Sequence, residues 1–569
     1  MNFKKFLFGA LSALALTACS NEDAPAAPDA GKEGDLYARI KIQLPTASRS
    51  QTTVKPGENT NSTSGFEYGQ DDENTIKSLN VVLAVKEADG SYSKGAVSVQ
   101  DKEFSGSNNN VFTILFDNQE ILKLADKDVY IFVFCNDAEN NYFDKDKNLS
   151  ELYGTITDAG AGKGIWTPDK FFMTNAPNRT IPTKKIPTKT ELLTKFNTPE
   201  KAFDLGQVDV ARTAARFDFK KTNDNIYSVY DVNAETKDEA SRIADIKLVA
   251  MAPVNVAKEF YCLPRVSDDG TDKDWTICGD EVYTNWVVSP NFNEKNAAVS
   301  AAPSAELMAK YFYSTESSKK PGNFWNGSNF EYTILDEFNG KEDYDDNWTA
   351  GEGVDKTGYK IWRYVTENTI PATAAQKTGI STGIVFKAEI TNPTSEILKS
   401  GMEAGKAIYG FNGIYYGDVE ALRKTVSNEV ATTLLRKSFE KVFGTECLEK
   451  NEKGEFVNTI TDCTAVANNN TFKILRPDTD GKYYTYYVYR NRHNDNNDLT
   501  QMGAMEFGTV RNNIYKLSVT TISGFGHTAN PGDDDDPEDP NDPDEDPKTY
   551  FRVTCHVLPW MVRVNSIEF

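Results

Sequence analysis

The sequence predicts a mainly β protein built from β-sandwich domains with short helical insertions. Short apolar or alternating segments recur along the 569-residue chain, and turns rich in Gly, Asn, Asp and Pro separate them. The length is enough for about two to four domains with cores of their own. No repeat with a period of about 20–50 residues is visible, which disfavours a solenoid or a propeller.

The N-terminus has the features of a lipoprotein signal peptide. Lys4 and Lys5 precede an apolar run over residues 6–16, and small residues precede Cys19. The run is about half of the roughly 20 residues that a membrane-spanning helix needs, which disfavours a transmembrane anchor. We predict a signal peptide over residues 1–19, a lipid on Cys19, and attachment of the precursor to the outer membrane through that lipid.

The first element after the signal is a half-buried strand over residues 36–44. Its apolar side chains alternate with polar ones and share one face: Leu36, Ala38, Ile40, Ile42 and Leu44. A segment rich in Thr, Ser, Asn and Gly follows, so a protease can reach Arg49 there. Composition alone favours the simpler interpretation, that Arg49 is a solvated loop residue.

Further elements are predicted by their periodicity. Residues 80–85 form a strand that enters a turn at Asp89 and Gly90. Residues 129–134 are apolar on both faces, as in a strand between two layers. Residues 383–390 and 515–519 alternate, so each is expected to keep one face in water. Residues 419–442 have helical spacing and predict one helix packed on a sheet.

The C-terminus combines a spacer with an apolar strand. Ten acidic residues lie within residues 533–546, interleaved with prolines, so this stretch is expected to stay extended over a distance on the order of 50 Å. The strand beyond it has a set of apolar side chains: Phe551, Val553, Cys555, Val557, Trp560, Val562 and Val564. Its receiving sheet is either in its own domain or in a neighbouring molecule, which it would join by β-strand addition. The long spacer favours the neighbour.

Composition narrows the classes of function. The net charge of −22 excludes a nucleic-acid partner, because phosphates demand an excess of Lys and Arg. His493, His527 and His556 lie in no catalytic motif, and we expect neither an enzyme, nor a cofactor, nor a metal site. The spacing of Cys262 with Cys278, and of Cys447 with Cys463, allows disulfides but does not prove them.

Several motifs resemble the fimbrillins of the FimA and Mfa kind, and specifically the Mfa-type major fimbrial subunits. The resemblance rests on the lipobox ending at Cys19, the pro-strand before Arg49, the first mature strand at residues 76–85, and residues 208–216, 511–519 and 522–524. It implies two transthyretin-like β-sandwich domains, a lipoprotein precursor, cleavage between Arg49 and Ser50 by an Arg-specific surface protease, and polymerisation by strand exchange.

The resemblance also implies a domain organisation. Its parts are a signal peptide (1–19), a propeptide with the pro-strand (20–49), N-terminal and C-terminal sandwich domains (50–210 and 211–530), a spacer (531–548) and a donor appendage (549–569). The partners would be other copies of the chain and other fimbrial subunits, in a fimbria at the cell surface that supports adhesion. The appendage favours a stalk subunit over a tip subunit, and a tip or base subunit is the alternative within the family.

A surface glycan-binding lipoprotein is the alternative. Tyr483, Tyr484, Tyr486, Tyr487 and Tyr489, together with Phe324 and Trp325, offer rings that can stack on sugars. Tyrosines on both faces of a strand more often mark a sheet that packs on one side. A glycan-binding protein would also keep its lipid anchor and its first strand.

Overall fold

The computed structural model describes residues 36–44, 67–100, 110–137, 142–155, 166, 169–271, 273–279, 286–290, 310–315, 328–330, 332–340, 357–370, 380–460, 472–493, 506–528 and 551–561. β-strands are the main regular structure of this part of the chain, which confirms the prediction of a mainly β protein. The signal peptide, the Arg49–Ser50 bond and the acidic spacer lie outside the described residues.

The first ten strands belong mainly to one large sheet. They are β1 (Leu36–Gln43), β2 (Glu67–Tyr68), β3 (Leu79–Lys86), β4 (Tyr92–Gln100), β5 (Val111–Phe116), β6 (Asp128–Cys135), β7 (Tyr153–Thr155), β8 (Met173–Asn175), β9 (Thr183–Lys185) and β10 (Phe203–Arg212). The order in the eight-stranded sheet is β4-β3-β6-β8-β10-β1-β5, with β9 paired to β6. The strand nearest the N-terminus among the described residues therefore lies between β10 and β5.

The remaining strands form the C-terminal sheets. They are β11 (Ala214–Lys220), β12 (Ile226–Tyr230), β13 (Arg242–Val254), β14 (Val256–Ala257), β15 (Glu259–Tyr261), β16 (Arg265–Ser267), β17 (Thr276–Ile277), β18 (Trp286–Val287), β19 (Phe312–Thr315), β20 (Ser328–Phe330), β21 (Thr333–Ile334), β22 (Lys360–Thr366), β23 (Asn368–Thr369), β24 (Gly383–Thr391), β25 (Ile408–Phe411), β26 (Ile414–Tyr415), β27 (Lys473–Leu475), β28 (Tyr484–Arg490), β29 (Gly508–Thr509), β30 (Asn513–Ile522) and β31 (Phe551–Met561).

Two five-stranded sheets dominate this half. One has the order β2-β31-β30-β11-β22, and the other has the order β12-β13-β24-β28 with β21 paired to β13. The chain passes from the large N-terminal sheet into the first of them between Arg212 at the end of β10 and Ala214 at the start of β11. A continuous apolar core includes side chains from the strands of all three sheets.

Helices are short and few among the described residues. They are α1 (Asp71–Asn74), α2 (Asn118–Ile121), α3 (Lys189–Lys195), α4 (Glu396–Glu403), α5 (Val419–Ser427) and α6 (Leu434–Phe443), with 3₁₀ turns at Leu122–Leu124, Leu149–Glu151, Pro199–Lys201, Asn223–Asn225 and Thr445–Leu448. None of them is long and apolar enough to cross a membrane. The helices α5 and α6 pack with β25 and β27 around a small core of their own, formed by residues such as Tyr409, Leu422 and Phe439.

The predicted hairpin and the predicted buried strand are both present. β3 and β4 pair as neighbours, and Gly90 in their turn has a φ of +87°, a conformation that glycine adopts without strain. All residues of β6 except Asp128 and Tyr130 are buried, as its apolar run predicted. In β24, buried residues alternate with half-buried ones after Phe386, in agreement with the predicted alternation, whereas Val385, on the face expected to be in water, is buried.

Two predictions were wrong in part. The helix predicted over residues 419–442 is two helices, because the Thr433 hydroxyl accepts a hydrogen bond from the Arg436 amide and starts α6 afresh, leaving Val430 exposed. β30 does not keep one face in water over residues 515–519. Lys516 and Ser518, on its second face, are buried as well, and Lys516 lies beside the Asp218 carboxylate.

Candidate functional site

The strand β1 is an interior strand of the N-terminal sheet, next to the edge strand β5. It runs parallel to β10, with Ala38 opposite Phe203 and Ile42 opposite Val208, and antiparallel to β5, with Ala38 opposite Ile114. Its inward side chains are all buried, as the alternation predicted: Leu36, Ala38, Ile40, Ile42 and Leu44. β1 therefore fills a groove between two strands that come from later parts of the chain.

Main-chain hydrogen bonds hold β1 along its length. Besides the two ladders, the Tyr37 amide donates to the Phe196 carbonyl at 3.0 Å and the Ile42 amide donates to the Asn110 carbonyl at 2.8 Å. If residues 36–44 left, the facing edges of β10 and β5 would lose these partners and the core beneath would open to water. Such an edge is a template for another strand.

The strand β31 lies on its own C-terminal sheet. It pairs antiparallel with β30, from Phe551 opposite Ile522 to Pro559 opposite Asn513. Near its end, Trp560 and Met561 pair in parallel with the short strand β2. This position corresponds to the first of the two expected receivers, the chain's own domain.

The predicted donor residues are therefore only partly located by the structure. The backbone of Phe551, Val553, Cys555, Val557 and Trp560 lies in β31, and the Val553 side chain packs half-buried against the main core. Val562 and Val564, the lipidation site Cys19, and the cleavage site at Arg49 and Ser50 lie outside the described residues. The structure leaves their predicted roles as predictions.

A buried ionic network lies at the end of residues 208–216, one of the segments on which the predicted resemblance rests. The guanidinium of Arg216 donates to both oxygens of Asp218, at 2.9 and 2.8 Å, and to Glu73 at 3.0 Å. The Tyr364 hydroxyl donates to the same Glu73 carboxylate at 2.5 Å, and burial raises the pKa of Tyr364. Arg216, Glu73 and Asp218 are all buried, so the charges are compensated by one another rather than by water.

The neighbouring arginines belong to the same junction. Arg212 donates to the Asn512 side-chain oxygen at 3.0 Å and to the Glu73 carbonyl at 3.1 Å, and burial lowers its pKa to about 9. Arg511 donates to the Glu367 carboxylate at 2.9 and 3.1 Å, and this pair is fully buried. Residues 208–216 and 511–519 thus meet where β10 ends and β11 begins.

Sequence reasoning missed the acidic members of this network. Glu73 lies in α1 between the cleavage region and β3, and Asp218 lies between two phenylalanines of β11. Asp218 could have been identified from the sequence, because a carboxylate between two phenylalanines of a strand is unusual and indicates a buried charge. Nothing in the local sequence of Glu73 marks its burial.

His493, Cys262 and Cys278 are buried in the protein interior. His493 Nδ1 is 3.0 Å from the Tyr515 hydroxyl, and burial lowers the pKa of His493 to about 3. The thiols of Cys262 and Cys278 are free and buried, and burial raises the pKa of Cys278 to about 12. Cys463 lies outside the described residues. Among those described, no group of three or more His, Cys, Asp or Glu side chains could hold a metal ion.

The tyrosines in β28, and Tyr483 just before it, pack against other residues of the fold. Tyr483, Tyr487 and Tyr489 are buried in the core, and Tyr484 stacks under the Lys387 ammonium at 3.8 Å. Phe324 and Trp325 lie outside the described residues. The rings of this strand contribute mainly to the packing of the second C-terminal sheet.

A family comparison matches the region that contains β30 and β31. Residues 481–566 match the family described as major fimbrial subunit protein type IV, fimbrillin, C-terminal. This region is therefore similar to the C-terminal segment of fimbrillins. The match covers residues 511–519, the spacer and most of the appendage. It confirms the predicted resemblance to fimbrillins. The fimbrillin family is a family of structural fimbrial subunits, not of enzymes.

Searches for whole-chain relatives gave weaker likenesses. No curated protein sequence matches the chain significantly. A fimbrillin, FimA, from Porphyromonas gingivalis is 11% identical with a TM-score of 0.32, over 92% of this chain and 98% of the other. The tip fimbrial protein Mfa3 from the same organism, solved with a C-terminal truncation, is 9% identical with a TM-score of 0.30, over 92% and 100%. These scores are too low to establish a shared overall fold.

Proposed function

We propose that this chain is a structural subunit of a cell-surface type V fimbria that joins its neighbours by strand exchange. The position of β1 between two other strands supports the proposal most directly. This strand precedes the predicted cleavage site in the sequence, yet it lies between β5 and β10 in the sheet. Cleavage after Arg49 would separate β1 from the rest of the chain. Its departure would leave an open groove between β5 and β10.

The proposed sequence of events uses both ends of the chain. A lipid on Cys19 holds the precursor at the outer membrane, and an Arg-specific surface protease cuts between Arg49 and Ser50. Residues 20–49, which include β1, then leave. The appendage of another copy, residues 549–569, leaves its own sheet, spans the gap with the spacer, and enters the vacated groove by β-strand addition.

The resulting assembly is open and head to tail. Each subunit offers one groove and one appendage, so the contact is heterologous and the chain of subunits does not close. The presence of the appendage favours a place in the stalk, where a subunit must both donate and accept. A role in adhesion follows from membership in such a fimbria.

The test is to block cleavage with Arg49→Ala in cells that carry the fimbria. We expect a lipidated protein that starts at Cys19 and stays monomeric, because β1 keeps the groove filled. The unmodified chain should start at Ser50 and give a heat-sensitive ladder of oligomers on gels. Lys55→Ala, a change to a basic residue outside the cleavage site, should behave like the unmodified chain. An ordered ladder from Arg49→Ala would contradict the proposal.

A further inference from the structure

The groove that β1 occupies has one position for a small side chain. Ala38 is completely buried, and its cross-strand neighbours are Ile114 of β5 and Phe203 of β10, which are buried too. Directly opposite side chains in a sheet lie about 5 Å apart, so these two large groups confine the space at Ala38. The other inward positions of β1 hold large aliphatic side chains, from Leu36 to Leu44.

The apolar face of β31 has one small side chain as well. Phe551, Val553, Cys555 and Val557 alternate along this strand, and Cys555 is the smallest of the four. Because side chains alternate with a period of two, a shift of one residue would turn this face to water, whereas a shift of two would keep it inside. A shift of two would also place a β-branched valine between Ile114 and Phe203, and overpacking of this kind is destabilising.

We propose that Cys555 of one subunit takes the position of Ala38 in the groove of the next subunit, and so sets the register of the joint. This inference rests on the strand exchange proposed above. It holds for either direction of the inserted strand, since Cys555 faces the same two neighbours in both. Cys555 is thus a specificity-determining residue, selected for its size.

A disulfide between subunits tests the register. Full-length chain with Ile114→Cys is assembled into fimbriae and oxidised mildly, and the linked peptides are identified by mass spectrometry. We expect a link from Cys555 to the new thiol at position 114 between subunits, because the two side chains would be directly opposite. Phe112→Cys and Phe116→Cys, which mark registers shifted by two residues, should give at least tenfold less product. Cys555→Ser should abolish the link.

The outcomes separate the register from the mechanism. Preferential linking at position 112 or 116 in intact fimbriae would overturn the register and leave strand exchange standing. Fimbriae that assemble without linking at any of the three positions would overturn both, because β5 would then not receive the appendage. Failure of the unmodified chain to form fimbriae would overturn the proposed function itself.

A size exchange gives a second measurement. Cys555→Leu should lower the yield of oligomers at least tenfold, whereas Cys555→Ala should leave the yield unchanged. Ile114→Ala in the receiving subunit should restore assembly of the Cys555→Leu donor, because it enlarges the space beside the Ala38 position. Normal assembly of the Cys555→Leu chain on its own would refute the inference.

Discussion

Arg216 connects parts of the chain that lie far apart in the sequence. Its guanidinium contacts Glu73, 143 residues earlier, at 3.0 Å, and Asp218 on its own strand at 2.8 Å. Water does not reach these groups, so each charge depends on its partner for stabilisation. The network fixes α1 to the junction between the sheets.

Removing one charge from this network should destabilise the protein strongly. We expect Arg216→Met to lower the free energy of unfolding by about 3–5 kcal/mol, because it removes the cation that is hydrogen-bonded to the buried Glu73 and leaves Asp218 with the more distant Lys516 ammonium, at 3.5 Å. Lys195→Met is the matched control, since the Lys195–Glu191 pair is exposed and water screens its attraction, so its loss should change stability little. Urea unfolding of both variants measures the difference. Equal losses would show that the buried network is not a stabilising feature.

At the scale of the elements, β1 is the strand on which the proposal depends. It contributes a complete row of buried side chains and two hydrogen-bonded ladders to a sheet that the rest of the chain cannot complete by itself. Loss of β1 should therefore leave an open and aggregation-prone groove rather than a smaller stable sheet.

A peptide of residues 36–44 should refill this groove. The chain of residues 50–548 lacks both β1 and the appendage, and we expect its melting temperature to rise when the peptide is added. At a peptide concentration 100-fold above the dissociation constant, the gain should be about 2.7 kcal/mol. The same peptide with Ile40→Asp should give little gain, because it places a carboxylate in the apolar groove. Equal stabilisation by both peptides would contradict the role of the groove.

On the scale of the whole molecule, the two ends of the chain belong to different sheets. β1 lies in the N-terminal sheet, and β31 lies on the C-terminal sheet beside β30. The arrangement keeps the backbone of β31 paired with β30 before assembly, which limits aggregation. When the appendage leaves, β30 loses its pairing with β31. The pairing that the appendage gains in the next subunit must offset this loss of free energy.

Deleting residues 549–569 should turn the subunit into a chain terminator. The truncated protein can accept an appendage but cannot donate one, so mixing it with the unmodified chain should shorten the ladder in proportion to its share. The control carries the same deletion together with Arg49→Ala; its groove stays filled, and it should leave the ladder unchanged. Fimbriae of normal length from the truncated chain alone would refute the role of the appendage.

Local patterns in the sequence determined much of the fold. Alternation over residues 36–44 predicted β1 and its buried face correctly, and the apolar run at residues 129–134 predicted the buried strand β6. These predictions succeeded because side-chain direction in a strand follows from the backbone alone. The pattern over residues 419–442 predicts one helix, because its apolar residues continue on one face. The structure has two helices there, since Thr433 caps the start of α6.

Only the tertiary structure decided which elements meet. The sequence alone showed that β1 needs a sheet. Its place between β5 and β10 depends on distant pairings, and β10 begins more than 150 residues after β1 ends. The same holds for Glu73, whose neighbours Arg216 and Tyr364 come from other elements. The physical reason is that periodicity reports which face of an element is buried, whereas strand pairing and ionic contacts depend on groups brought together only when the chain folds.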